Sequence, residues 1–373
     1  MLRRARARHG PVFTLQLDGP LVFVADPGAV GPLLAADGAG AARREVLPLA
    51  SPHSLFGADA GEHRALRAAM EPAFAIAGRE DEIAALAAEH VARWPRGRPF
   101  RLLTAMRELA SDVFVRVVLR VEDPARRAAL VAAIRRMLRT PGNPPLPIPE
   151  STIVDRVFRW RIAPLVRLLE QELAVGNDLL AAMPGTPREA VDRLLVVLAA
   201  GQEPPSIALA NVVYELARRP ELQERARHDP GLLDAVVEET LRLRPSASAA
   251  LRTPAAPLEV AGRTLPAGTP VALPSPLLHR DPAAFPEPDA FRPGRAIPGG
   301  APYFPFGGGA RRCIGEPLAR AELRIVVPAV LAHLRVRAVW PRPERMVVRG
   351  TVLVPHRGAV VRATPLAAPQ RPE

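Results

Sequence analysis

The segment Phe304-Pro-Phe-Gly-Gly-Gly-Ala-Arg-Arg-Cys-Ile-Gly-Glu-Pro-Leu-Ala-Arg-Ala-Glu-Leu holds Cys313, the one cysteine among 373 residues. An intrachain disulfide and a multi-cysteine metal site are therefore excluded. Three glycines precede the thiol, Gly315 follows it, and a helical pattern starts near Ile314. A sulfur at a helix N-terminus faces free backbone N–H groups and the positive end of the dipole, and Arg311 and Arg312 add charge. Such surroundings favour the thiolate, the form that nucleophiles and metal ligands require. Glycines lack Cβ, so the backbone can approach a large flat object closely. Taken by itself, the cysteine also reads as a small apolar side chain in a glycine-rich turn.

Four other groups could act with it. Glu239 and Arg242 stand at i,i+3 in the helical run Leu232-Leu-Asp-Ala-Val-Val-Glu-Glu-Thr-Leu-Arg-Leu-Arg-Pro, a spacing that puts them on one face. On a surface such a pair means little. His63 and Arg67 share a helix face at i,i+4 in Gly61-Glu-His-Arg-Ala-Leu-Arg, and Arg252 follows the small-residue run Ser246-Ala-Ser-Ala-Ala-Leu. A long helical pattern over 188–218 carries Ala199-Ala-Gly201-Gln-Glu203-Pro204-Pro-Ser206 at its centre. Two prolines there remove two helix N–H donors and open the groove.

The elements that must position these residues are mostly helices. Residues 12–25 alternate around Asp18-Gly-Pro and read as a hairpin. Helical patterns follow near 61–72, 80–93, 104–120, 124–139, 153–174, 188–218 and 230–243. A small hairpin with an Ala-Gly turn is expected within 258–273, then a proline-rich meander over 274–305, a helix over 314–335 and short strands near 345–362. The expected class is mainly α (α+β), a helical bundle with small antiparallel sheets, as one unit over 1–373. The stretch Thr140-Pro-Gly-Asn-Pro-Pro-Leu-Pro-Ile-Pro-Glu must be extended. It reads as a stiff linker or as a substrate lid.

Composition narrows the function classes. All 50 cations are arginine, and the formal charge is +12. The arginines are spread along the chain and aromatics are only 4%, so no basic cluster interleaved with stacking residues marks a nucleic-acid site. No apolar run approaches the ~18 residues of a membrane span. A monomeric cytoplasmic protein is expected.

The spacing Phe306-x-x-Gly309-x-Arg311-x-Cys313-x-Gly315 resembles the haem-binding signature of the cytochromes P450, and the other groups follow in that family's order. The resemblance extends over essentially the whole chain. It starts abruptly, with a first helix at Met1, so the chain is short at its N-terminus. It implies the cytochrome P450 fold and haem b (iron protoporphyrin IX), with Cys313 as proximal iron ligand. Phe306 would then pack on the sulfur side, and Arg311, His63, Arg67 and Arg252 would serve the propionates, with Gly315 lining the site. Glu239 and Arg242 would form the family's buried Glu-x-x-Arg core. Its third partner is an arginine of the meander, which here reads His279-Arg-Asp … Asp289-Ala-Phe-Arg292-Pro-Gly-Arg295, so Arg292 or Arg295 takes that place.

The sequence departs from the family at the oxygen-activation helix. Ala200, Gly201 and Glu203 occupy it as expected, but Pro204 stands where the family has a proton-relaying threonine, and Ser206 lies two positions late. The implied activity is an oxidoreductase of bacterial secondary metabolism acting on a small-molecule or peptide precursor. The reaction is hydroxylation or oxidative C–C/C–N cross-linking, with protons relayed by a substrate hydroxyl or by a water on Glu203 or an opened carbonyl. A haem protein without monooxygenase turnover, a partner or sensor, is the alternative. Electrons would come from ferredoxin and ferredoxin reductase, steered by Arg64, Arg311, Arg312 and Arg320. The pocket would draw on Arg43, Arg44 and neighbours to His53, residues 141–149, Ala199, Ala200, Ala247–Ala250 and Val352–Val354. Arg43 and Arg44 either greet an acidic or peptidic substrate or are solvated.

Overall fold

A computed structural model describes residues 1–17, 19–36, 54–58, 60–138 and 153–366. The connector through Arg43, Arg44 and His53 and the proline-rich stretch 140–150 lie outside the described residues. Thirteen helices are described: α1 (Leu2–His9), α2 (Val30–Ala35), α3 (Ala60–Met70), α4 (Glu80–Ala92), α5 (Leu102–Val113), α6 (Pro124–Leu138), α7 (Ile153–Ala174), α8 (Asp178–Ala182), α9 (Pro187–Ala217), α10 (Pro220–His228), α11 (Pro230–Leu243), α12 (Ser275–Leu278) and α13 (Glu316–His333). Eleven strands complete it: β1 (Val12–Gln16), β2 (Pro20–Val24), β3 (Pro99–Arg101), β4 (Ala250–Arg252), β5 (Leu258–Val260), β6 (Arg263–Leu265), β7 (Val271–Leu273), β8 (Leu334–Ala338), β9 (Met346–Arg349), β10 (Val352–Pro355) and β11 (Val360–Pro365).

α9 is the axis of the bundle. Thr186 and Glu189 close a capping box around Pro187 at its start, satisfying orphan N–H groups that would otherwise cost stability. Its 31 residues give a rod of roughly 46 Å. From Ala190 to Ala217 it is buried apart from Asp192 and the stretch Ala199–Pro205, within which only Gln202 is covered. α5, α7, α11 and α13 pack around it, and the core cluster is built largely from Val, Leu and Ile of these helices. α5 continues into a π-helical turn over Phe114–Val118, with Leu119 N–H on the Phe114 carbonyl at 3.0 Å.

The sheets sit at the edges. The largest runs β1-β2-β7-β4, with β2 and β7 parallel and the other pairs antiparallel. β3-β11-β8 is antiparallel throughout, and β5–β6 and β9–β10 are separate hairpins. The Ala-Gly turn expected in 258–273 is Ala261-Gly262, both at positive φ, the backbone of a type I′ turn. β7 leaves that hairpin for the larger sheet. Near the C-terminus, residues 334 and 335 belong to β8 instead of the preceding helix, since Leu334–Ala338 pairs with β11. No described helix is long and apolar enough to cross a membrane.

Candidate active site

Cys313 lies between two anchors. Upstream, the fully buried His279 accepts the Phe304 N–H at 3.1 Å. Burial, aided by the Arg280 charge, pushes the imidazole down to about 3, so it is neutral and able to accept. The Cys313 N–H then closes the loop on the Phe306 carbonyl at 2.9 Å. Downstream, Gly315 caps α13. Cys313 is exposed as a residue, yet protein crowds its thiol. That crowding raises the thiol from its ordinary value, against the pull of the Gly315 and Glu316 N–H groups and of Arg67. The Gly315 and Glu316 N–H donors expected at the helix start are in place, and a metal cation bound at the sulfur would favour the thiolate further.

Two of the glycines also serve the packing of the loop itself. A Cβ on Gly309, which has φ +64°, would fall 2.0 Å from the Leu34 carbonyl oxygen, and one on Gly308 would meet the Leu34 side chain at 3.0 Å. These two glycines seat the loop on the end of α2. Gly315 faces Phe74 and the Cys313 sulfur at ordinary contact distance. Phe74 meets Phe114 edge-on, with centroids 6.5 Å apart, and a Cβ on Gly201 would fall 2.7 Å from the Phe114 ring. Two rings therefore wall the space from the cysteine loop to the open stretch of α9.

Cations gather around the loop. Arg252 donates to the carbonyls of Gly308 and Leu251, both at 2.8 Å. Its Nε is buried with no partner, and no carboxylate among the described residues pairs with it. Burial and the nearby Arg311 charge lower it to about 10. Arg311 donates to the Ala58 carbonyl at 2.8 Å, and Arg67 to the Arg312 carbonyl at 2.6 Å. His63 is buried on the same helix as Arg67. A buried, underpaired cation beside a second one fits a bound group carrying two carboxylates. Haem, the group the sequence implies, fits that donor set.

Glu239 and Arg242 are buried and paired through two bonds of 2.8 Å. Arg242 also donates to the carbonyls of His279, Pro288 and Ala290 at 2.9, 2.8 and 3.2 Å. The choice between Arg292 and Arg295 is resolved by their side chains. Arg295 reaches Glu239 with its Nε at 3.4 Å, whereas Arg292 offers only its main-chain N–H at 2.8 Å and turns its guanidinium to Glu287. The meander is thereby fixed to α11.

At the centre of α9, Glu203 is held by Arg107 of α5 through two bonds, one of 2.8 Å. Ser206 Oγ donates back to the Gln202 carbonyl at 2.6 Å and lies 3.4 Å from the Met106 carbonyl oxygen, so the nearest hydroxyl faces the core. Ser246 Oγ donates to the Pro204 carbonyl at 2.8 Å. Nothing in the sequence pattern pointed to Arg107, and Ser246 stood out only as the first residue of the small-residue run before Arg252. Of the arginines expected to face a redox partner, Arg312 is paired with Glu316, and Arg320 with Glu316 and Glu238. Arg320 also lies 4.9 Å from the Phe306 ring centre.

A family model for cytochrome P450 matches residues 231–361. A Mycobacterium tuberculosis protein with the provisional name cytochrome P450 135B1 is 31% identical, covering 97% of this chain and 86% of its own length. Cytochrome P450 137 of the same species, also named provisionally, is 29% identical over 98% of the chain and 85% of its own. Among solved structures, a six-coordinated cytochrome P450 from Thermus thermophilus superposes with a TM-score of 0.78 at 26% identity, covering 96% of both chains. A retinoic acid-bound cyanobacterial P450 shares the fold at a TM-score of 0.80 and 21% identity, covering 98% of this chain and 94% of its own. Relatedness on this scale, with the fold to match, shows that the chain belongs to the cytochrome P450 family of haem-thiolate oxidoreductases.

Proposed function

We propose that the chain, as one unit over 1–373, binds haem b through the Cys313 sulfur. It would then oxidise a small-molecule or peptide precursor of bacterial secondary metabolism, using O2 and two electrons from a ferredoxin served by its reductase. The observation that carries this reading is the glycine-seated Cys313 loop flanked by the underpaired Arg252. Arg252, Arg311, Arg67 and His63 would hold the propionates, and Phe306 and Phe74 would border the sulfur. Bound there, the haem supplies dioxygen activation, which thiolate donation directs toward O–O cleavage. The chain's own residues orient the substrate, exclude water and move protons.

Proton movement is where this enzyme differs from its family. Pro204 carries no hydroxyl, Ser206 is turned to the core, and Glu203 is tied to Arg107. Protons therefore reach the distal face through the substrate or a water. Hydroxylation consumes O2, two electrons and two protons per C–H bond and releases one water. Oxidative coupling takes one hydrogen from each of two positions, joins them, and releases two waters from the same inputs. A haem protein without turnover is the second reading, and Pro204 is the residue that favours it. A cytoplasmic monomer suits both.

The absorption spectrum of the reduced protein with carbon monoxide tests the assignment. A thiolate-ligated iron moves the Soret band strongly to the red, and Cys313→Ser should abolish that shift. An unshifted band in the wild-type protein would refute the assignment. Turnover with a ferredoxin system then separates the two readings.

A further inference from the structure

Pro204 and Pro205 each lack an amide hydrogen, so the helix bonds that would end on the Ala200 and Gly201 carbonyls cannot form. Both carbonyls belong to the open stretch of α9, in a helix otherwise buried along nearly thirty residues' length. No side chain among the described residues donates to either one. The hydroxyls nearby are engaged elsewhere: Ser111 Oγ with the Gln202 side chain at 2.9 Å, Ser206 Oγ with the Gln202 carbonyl at 2.6 Å, and Ser246 Oγ with the Pro204 carbonyl at 2.8 Å. Glu203 is an acceptor whose charge Arg107 already satisfies. The open side of the turn thus offers acceptors, while its one unpartnered donor, Gln202 Nε2, is buried with a side chain that bonds Ser111 of α5. Phe114 blocks any Cβ on Gly201, so the opening at this carbonyl is kept free of a side chain.

An acceptor facing a dry pocket is costly unless a donor meets it. We infer that the Ala200 and Gly201 carbonyls are the polar anchor of the substrate pocket, receiving O–H or N–H groups beside the position that is oxidised. The substrate class is then an alcohol, phenol or amide, and a plain hydrocarbon is disfavoured because it leaves both acceptors unmet. This inference rests on the haem-thiolate reading above and names the substrate chemistry of that site.

The test uses the holoprotein and azole probes that bind iron through nitrogen: 4-phenylimidazole and its 2- and 3-hydroxyphenyl analogues, titrated by the Soret shift. At least one hydroxyl isomer should bind about tenfold more tightly than the parent, the worth of one hydrogen bond in a dry site. Pro204→Ala with Pro205→Ala returns an N–H to each carbonyl and should bring that ratio close to one while parent affinity is retained. A wild-type protein that shows no preference, or a preference that survives in the double variant, overturns the inference. Should the double variant hold no haem, Pro204→Ala and Pro205→Ala are read singly by the same ratio, each satisfying one carbonyl; a ratio unchanged in both again overturns it. Azoles that leave the Soret band unmoved would remove the haem reading, and the anchor with it. A normal shift without isomer preference removes the anchor alone.

Discussion

Single atoms decide how the cysteine loop is seated. Gly309 combines φ +64° with a Cβ position only 2.0 Å from the Leu34 carbonyl oxygen. Gly309→Ala therefore meets a left-handed backbone and a backbone clash at once, and should destabilise the fold by about 3 kcal/mol. Denaturant titration measures it; a loss below about 1 kcal/mol would mean that α2 yields without strain. Arg252 makes the opposite prediction for the apo and loaded protein. Its guanidinium is buried, lowered to about 10, and repelled by Arg311. Arg252→Met should leave the apo-protein as stable or more so, by about 1–2 kcal/mol, while haem is lost faster to an acceptor such as apomyoglobin. Weakened apo stability with normal haem retention would show that the arginine serves only the Gly308 and Leu251 carbonyls. The signature around Cys313 was readable because its residues are neighbours in sequence. Leu34, which explains Gly309, was not, because only the folded chain brings α2 to the loop.

The same division appears at the level of helices. α4, α6, α7, α9 and α11 lie within a residue or two of the periodicity that announced them, because each carries a long apolar stripe and a clear start signal. α10, α8, α2 and α12 escaped: α10 is dominated by charge, and the other three are too short to show a period. β8 was absorbed into the helix before it, since its pairing with β11 is a tertiary matter. What periodicity could not reveal was how α9 tolerates two prolines. α5 supplies the answer from outside: Arg107 and Ser111, one turn apart, clamp Glu203 and Gln202 from the same face. Removing one partner of a pair this well covered leaves the other charge stranded. Arg107→Met should then cost about 2–3 kcal/mol, and Glu203→Gln in the same chain should recover part of it. A double-mutant cycle by denaturant titration reads the coupling; purely additive losses would show that α5 does not brace the opened turn.

Across the whole molecule, the carboxylates fall into two populations that respond oppositely to pH. Glu215, Glu316, Glu82 and Asp289 are held below the ordinary carboxylate value by arginine neighbours. Their contribution is present above the unfolded value and is lost as pH falls through the lowered one. Glu322, buried within α13, has an unpartnered Oε2 and is raised from 4.5 to about 8 by burial alone. Its folded form prefers the proton. The fold therefore carries no penalty from Glu322 below the unfolded value, a growing one between about 4.5 and 8, and a constant one above. The net charge of +12 was plain from composition, but it cannot say which acid lacks a cation, because that depends on what α4, α9 and α10 bring against α13. Glu322→Gln removes the titration and keeps the shape. Its stability advantage over wild type should grow by up to about 1.4 kcal/mol per pH unit across that window and stay level on either side. Urea titrations at successive pH values measure the difference. An advantage that does not change with pH would mean that Glu322 is ionised throughout and that the helix bundle satisfies it.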